Sequence, residues 1–395
     1  MTGVQTCALP IFKVGQLIGD VDAFISAPIH SSVSGTVKGI ETQRGAMGGY
    51  ETLVVIETDK KQELWEGIKV PEVDDLQGFV KAVRESGCVG MGGASFPTHV
   101  KYNPKNIDDV HTLIVNAAEC EPFITSDHRA MLEDTQDIID GMKLIMKYDG
   151  LDEAYIGIEA NKPDAIAKFD EEFEKQGLTN MHTFTLLSRY PKGAERVLVY
   201  EITGKHMAAG VLPADLGVIL SNVTSVAVIG EYFRTGIPLV KRRMTVDGDA
   251  VANPKNVLAP IGTQISDVIA FCGGYKKPPK EIVMGGPMMG RSIPTDAMPI
   301  IKNNNAILAF SEEQATIPPE TPCINCGRCH MACPFNLLPT AFADAYLDAD
   351  AQKLADLQVM QCMECGSCSF VCPARRPLSF MNKLGKGLVK EAGIK

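Results

Sequence analysis

Eight cysteines between Cys323 and Cys372 follow one pattern written twice. Cys323-x2-Cys326-x2-Cys329-x3-Cys333-Pro334 returns 39 residues later as Cys362-x2-Cys365-x2-Cys368-x3-Cys372-Pro373, and the 395-residue sequence contains no other internal repeat. Three thiolates at two-residue gaps wrap one face of a cubane iron–sulfur cluster. The fourth, followed by proline, reaches across to the other cluster. The pattern therefore assigns Cys323, Cys326, Cys329 and Cys372 to one [4Fe–4S] centre, and Cys362, Cys365, Cys368 and Cys333 to a second. Zinc modules instead separate two Cys-x2–4-Cys knuckles, which does not match three cysteines in so tight a run. Between the two runs, Phe342, Ala345, Tyr346, Leu354 and Leu357 recur at helical spacing, so a helical dicluster domain is expected over 319–385.

Such a module is too small to occupy the chain. At 395 residues several domains are expected, and 45% hydrophobic with 22% charged residues is the balance of an ordinary globular protein. The net charge of −10 leaves no broad basic surface, so nucleic acid is not an expected partner. The richest apolar stretch, Val211–Ile229, is interrupted by Asp215, Asn222 and glycines, so no membrane-spanning helix is expected. Cys7, Cys88, Cys120 and Cys272 lie scattered, and the cysteine usage points to metal ligation in a reducing compartment.

Residues 1–12 carry no signal-peptide pattern and match nothing that follows; they read as a non-native start. Over 13–69, short β runs at Phe24-Ile25, Thr36-Val37 and Leu53–Ile56 alternate with Gly, Pro and Ser turns, as in a lipoyl-like barrel sandwich. The lysine that carries a swinging arm in such modules has no clear counterpart. Residues 70–239 alternate strands (Leu113–Asn116, Ala154–Ile158) with helices (Leu76–Glu85, Asp127–Lys147, Pro163–Lys175), the sign of a parallel α/β sheet with ligands at its strand carboxyl ends. Residues 240–292 read as a small α+β insert with a helix over Gln264–Phe271, and 293–318, rich in Pro, Asn and Glu, as a linker.

One glycine-rich loop stands out, Gly87-Cys88-Val89-Gly90-Met91-Gly92-Gly93-Ala94-Ser95-Phe96, with Lys101 shortly after. Small residues let backbone approach a flat ring or phosphate, and a lysine supplies charge, although three-glycine loops are often simple turns. Further on come Asn116-Ala117-Ala118-Glu119-Cys120-Glu121, Tyr190-Pro191-Lys192-Gly193-Ala194-Glu195 and Ser221-Asn222. The histidines at 99, 111, 128 and 182 read as ordinary surface or core residues.

These segments, in this order, resemble the flavin-binding fold of the NADH-dehydrogenase subunit of complex I. With a lipoyl-like start, a β-grasp (SLBB) insert and a dicluster end, the whole arrangement from Lys13 to about Lys390 resembles the family of Rnf C subunits, ion-translocating ferredoxin:NAD oxidoreductases. The resemblance implies an α/β multidomain fold and FMN held by Gly90, Gly92, Gly93, Ala94, Lys101, Asn116, Glu119 and Asn222. It places Phe96, Glu121 and Glu195 near NAD(H), while Ala118 and Ala194 stand where the complex I pattern has acidic residues. Hydride carries two electrons and each cubane takes one, so a flavin between them meets a chemical need. Membrane-complex subunits, one of them an iron–sulfur subunit, are the implied partners, at the cytoplasmic face. A soluble cobalamin reductase of the propanediol-utilisation type and a cluster-only relay without flavin are the alternatives.

Overall fold

A computed structural model describes residues 10–45 and 48–394. Residues 1–9 of the expected non-native start lie outside the described residues, but Ile11–Phe12 (β1) is part of the fold and pairs antiparallel with Gly35–Arg44 (β4). Leu17–Gly19 (β2) pairs with Ile29–His30 (β3), and β4 forms a long hairpin with Tyr50–Thr58 (β5). Phe24 and Ile25, read as a strand, instead lie in an exposed bend, 77% and 63% accessible. An apolar pair without a paired neighbour has no reason to extend.

The α/β domain opens with α1 (Leu76–Glu85), as expected. Asp75 caps it by accepting from the Gly78 amide at 2.7 Å, and Phe79 and Val83 are buried beneath it. After α2 (Thr98–Lys101) come β6 (Thr112–Ala117), α3 (Ser126–Glu133), α4 (Thr135–Asp149), β7 (Glu153–Glu159), α5 (Pro163–Lys175), β8 (Met181–Leu186), α6 (Glu195–Thr203), β9 (Val218–Asn222) and α7 (Val223–Thr235). The single helix expected over 127–147 is interrupted at Asp134, which ends α3 and begins α4. The sheet is parallel in the order β8-β7-β6-β9, its central strands covered on both faces and correspondingly apolar. Helices α4 and α7 cross closely because Gly230 has no Cβ, which would stand 1.9 Å from the Asp137 carbonyl oxygen.

The β-grasp unit contains β10 (Lys241–Asp247), β11 (Lys255–Pro260), α8 (Ile265–Phe271), β12 (Pro279–Met284), β13 (Arg291–Ile293) and β14 (Ala306–Ser311). Here the linker expectation fails. Strand β14, fully buried along its length, lies inside the sheet between β10 and β12, in the order β11-β10-β14-β12-β13. Its apolar Ala-Ile-Leu-Ala-Phe run was masked by the polar Lys302–Asn305 before it and the Pro-rich stretch after it.

A short α9 (Glu312–Ala315) leads to the cysteine lobe of α10 (Arg328–Met331), α11 (Pro339–Leu347), α12 (Ala351–Asp356), α13 (Ser367–Phe370) and α14 (Leu378–Glu391). The sequence repeat is carried into the backbone. Left-handed residues Asn325, Gly327 and Asn336 have counterparts 39 positions on at Glu364, Gly366 and Arg375. Among the described residues, no helix is long and apolar enough to cross a membrane.

Candidate functional site

Parallel register brings Asn116 at the end of β6 opposite Asn222 at the end of β9. The glycine loop closes beside them as a small hairpin: the Gly90 amide donates to the Phe96 carbonyl at 2.7 Å, and the Ser95 amide to the Gly90 carbonyl at 3.2 Å. Met91 is buried and its amide donates to Ser225, while Gly92, Gly93 and Ala94 face outward. A Cβ on Gly92 would meet the Asn222 side chain at 3.6 Å, and one on Gly93 (φ +118°) would meet nothing, so open space borders the loop at the strand ends. Phe96 stands at its edge, 36% exposed.

Lys101 projects from α2 toward the same end of the sheet. Its ammonium donates to the Leu220 carbonyl at 3.3 Å, and among the described residues no carboxylate pairs with it. Burial lowers its pKa, partly opposed by Glu195, which lies at the exposed first position of α6. A desolvated, unpaired ammonium beside bare glycine backbone suits a phosphate, so these residues fit the phosphate-bearing flavin.

Asn116, Glu119 and Asn222 are already engaged. Asn116 donates to the Gly193 carbonyl at 2.8 Å. Asn222 caps α7 by accepting from the Thr224 amide at 3.0 Å and donates to Asp127 at 2.8 Å. The Glu119 carboxylate accepts from the amides of Asp127 and His128 at 2.6 and 3.2 Å, and its backbone is left-handed at φ +50°. Burial, then the Asp127 charge, push it up to about 8. Glu121, expected near NAD(H), accepts from the Met288 amide at 3.0 Å and so holds the loop between β12 and β13; burial raises its pKa.

Several residues that the sequence reading missed support the loop. Arg242 of β10 is wholly buried, donating to the Met91 carbonyl at 2.9 Å and the Asn304 carbonyl at 2.6 Å. Lys302 donates to the carbonyls of Gly87 and Pro28, each at 2.7 Å, joining the α/β domain to the barrel sandwich. The available signal was the run Lys302-Asn303-Asn304-Asn305, too polar for its apolar flanks.

In the cysteine lobe, Cys333, Cys362, Cys365 and Cys368 line one cavity, the four that the crossed pattern groups together. Backbone amides aim at sulfur in matched positions: Asn325 to Cys323 and Glu364 to Cys362, both at 3.4 Å. Burial pushes the Cys368 thiol up to about 12, a cost that bound positive iron would offset. In the other set, Cys329 and Cys372 are buried while Cys326 is exposed. Among the described residues no group of three or more His, Cys, Asp or Glu side chains forms a single-ion site. The thiols and amides present fit cubane clusters. The Cys362–Cys368 run docks against the α/β domain. Tyr190 donates to the Cys365 carbonyl at 2.7 Å, and Arg196 to the Gln361 carbonyl and side-chain oxygen, both at 2.8 Å.

A nucleotide-type sheet joined to a paired-cysteine lobe defines a flavin and iron–sulfur electron-transfer protein. Known families agree: the Nuo51 FMN-binding domain matches 83–231, the RnfC barrel sandwich hybrid domain 11–61, the SLBB domain 243–292 and the 4Fe-4S dicluster domain 322–375. The C subunit of the proton-translocating ferredoxin:NAD(+) oxidoreductase complex of Clostridium ljungdahlii is 42% identical over 334 residues, 83% of this chain and 72% of that one. The C subunit of the ion-translocating oxidoreductase complex of Rhodobacter capsulatus is 35% identical over 381 residues, covering 95% and 73%. An NAD+-reducing [NiFe]-hydrogenase chain shares the fold, with a TM-score of 0.53, 18% identity and coverage of 81% of this chain and 54% of that chain. The chain belongs to the family of C subunits of ion-translocating ferredoxin:NAD(+) oxidoreductase complexes.

Proposed function

We propose that this chain is the peripheral electron-input subunit of its complex, exchanging electrons between NAD(H), FMN and two [4Fe–4S] clusters for a partner iron–sulfur subunit. The observation that carries this reading is the seating of the Cys362–Cys368 run on the loop after β8 and the start of α6, at the same sheet end as the glycine loop. Bound FMN would supply the conversion between the two-electron hydride of the nicotinamide and the single electrons that each cluster takes. The chain's residues hold and orient. Gly90, Gly92, Gly93 and Ala94 would present backbone to the flavin, and Lys101 would neutralise its phosphate. Asn116 and Asn222 would fix the strand-end wall, with Glu119 bracing it through α3. Phe96 would offer an aromatic edge to NAD(H), Glu195 an exposed carboxylate, and Glu121 would shape that side by holding Met288. The crossed assignment of Cys323, Cys326, Cys329 and Cys372 against Cys333, Cys362, Cys365 and Cys368 is part of the proposal, as are the domain limits beyond the matched segments. NAD(H) is a cytoplasmic nucleotide, which favours docking on the cytoplasmic face of the membrane.

The deciding experiment is anaerobic reconstitution, analysis of iron, sulfide and flavin, and NADH titration followed by absorbance and electron paramagnetic resonance. Bleaching of a yellow chromophore with appearance of reduced-cluster signals is expected. Clusters without flavin would favour the relay reading, and zinc in place of sulfide would overturn the proposal.

A further inference from the structure

Helix α6 starts with two neighbours that serve different partners. Glu195 lies on the nucleotide side, within the field of Lys101, while Arg196 reaches the cysteine lobe. The Arg196 guanidinium donates to the Gln361 carbonyl, the Gln361 side chain and the Met207 carbonyl, all at 2.8 Å, and lies 4.2 Å from the centre of the Phe335 ring. Gln361 immediately precedes Cys362, and Phe335 lies two residues after Cys333. One cation thus grips the chain beside ligands from both cysteine runs, at the cavity those ligands share.

The other half of the repeat has no equivalent. The positions matching Gln361 and Phe335 are Pro322 and Ala374, which offer neither an amide oxygen on a side chain nor an aromatic face. The remaining part-buried cations near the clusters are matched by carboxylates: Lys386 by Glu364, and Arg376 by Glu320 and Asp344. Among the described residues no carboxylate pairs with Arg196, whose partners are all neutral. Among the described part-buried cations beside the cysteine runs its charge is therefore the one not matched by a carboxylate; Arg328 and Arg375 are exposed, where water screens them. A positive charge in a partly desolvated setting favours the reduced, more negative state.

We propose that Arg196 is a positioning residue that seats the Cys333/Cys362/Cys365/Cys368 cluster on the α/β domain and raises its reduction potential, making that cluster the entry point for electrons leaving the flavin. This rests on the functional reading above. The step moves one electron onto the cluster from flavin reduced by NADH; no bond is made or broken and no proton moves at Arg196.

The test uses the full chain reconstituted anaerobically, with redox titration of both clusters by electron paramagnetic resonance. R196Q and R196M remove the charge, R196K retains it, and C326S identifies the signal of the other cluster. Expected are unchanged iron and sulfide in the Arg196 variants and a fall in the midpoint potential of one cluster in R196Q and R196M. R196K should restore most of the shift, with the second cluster unmoved throughout. If R196Q does not fold, R196M, which keeps an unbranched apolar stem over Phe335, gives the same reading. Unmoved potentials in a neutral variant, or equal shifts in both clusters, overturn the assignment alone. Wild-type protein without cubane iron overturns the functional reading, and this assignment with it.

Discussion

Asn303 donates from its side-chain amide to the carbonyl of Gly93 at 2.7 Å, a bond spanning 210 residues of sequence. With Lys302 on Gly87 and Arg242 on Met91, it means that the glycine loop is held from behind by the β-grasp unit. Apart from that Gly93 carbonyl, the outward faces of Gly92, Gly93 and Ala94 stay exposed.

Removing that support should loosen the flavin without touching the clusters. For Asn303→Ala, loss of one neutral hydrogen bond, worth roughly 0.5–1.5 kcal/mol, predicts up to about a tenfold weaker FMN affinity. Fluorescence titration of flavin-free protein would measure it, with iron content as the control.

Lys101→Ala should have a larger effect, because a charge-assisted bond to phosphate is worth roughly 1.5–3 kcal/mol, or about 10–200-fold in affinity. Its iron content should match that of wild type. Equal flavin occupancy in the variant would remove Lys101 from the proposed site.

The repeat supplies its own control for backbone strain. Gly327 (φ +73°) and Gly366 (φ +81°) are equivalent positions, yet a Cβ would meet open space at Gly327 and the Met288 carbonyl oxygen at 3.1 Å at Gly366. Alanine at either carries the left-handed penalty of about 1–2 kcal/mol. Gly366→Ala should lower the thermal midpoint further than Gly327→Ala, because it also disturbs the contact between lobe and β-grasp unit.

His30 gives a prediction in acid. Its Nδ1 is buried with no hydrogen-bond partner among the described residues, and burial, then the Lys302 charge, push its pKa down to about 4. Between pH ~6.5, its ordinary value, and ~4 the unfolded chain therefore binds more protons than the folded one, so stability falls as pH is lowered through that range. The loss is at most about 3.5 kcal/mol at ~1.4 kcal/mol per pKa unit. Urea midpoints measured across this range should slope less in His30→Asn.

Legibility from sequence followed locality. The cysteine pattern declared its chemistry because three of the four ligands of each cubane fall within seven residues of one another. Helices α1 and α5 were read to their observed ends, since apolar spacing and termination signals are local too. Strand β14 was missed because its pairing with β10 and β12 is distant in sequence and its six residues are too short a run to show a period. The roles of Asp127 and Arg242 were equally hidden. Asp127 meets Asn222, 95 residues away, and Arg242 meets Met91 at a separation of 151. The carboxylates of Glu119 and Glu121 were visible as an acidic pair, but not their engagement with α3 and Met288.

Strand β14 also bears on how charge can travel. The stretch that carries the cysteine lobe emerges from the middle of a sheet, bonded on both sides. A lobe rooted in that interior strand can pivot only about the exposed stretch 316–320, and the grip of Tyr190 and Arg196 on the backbone of Cys365 and Gln361 is what keeps it from doing so.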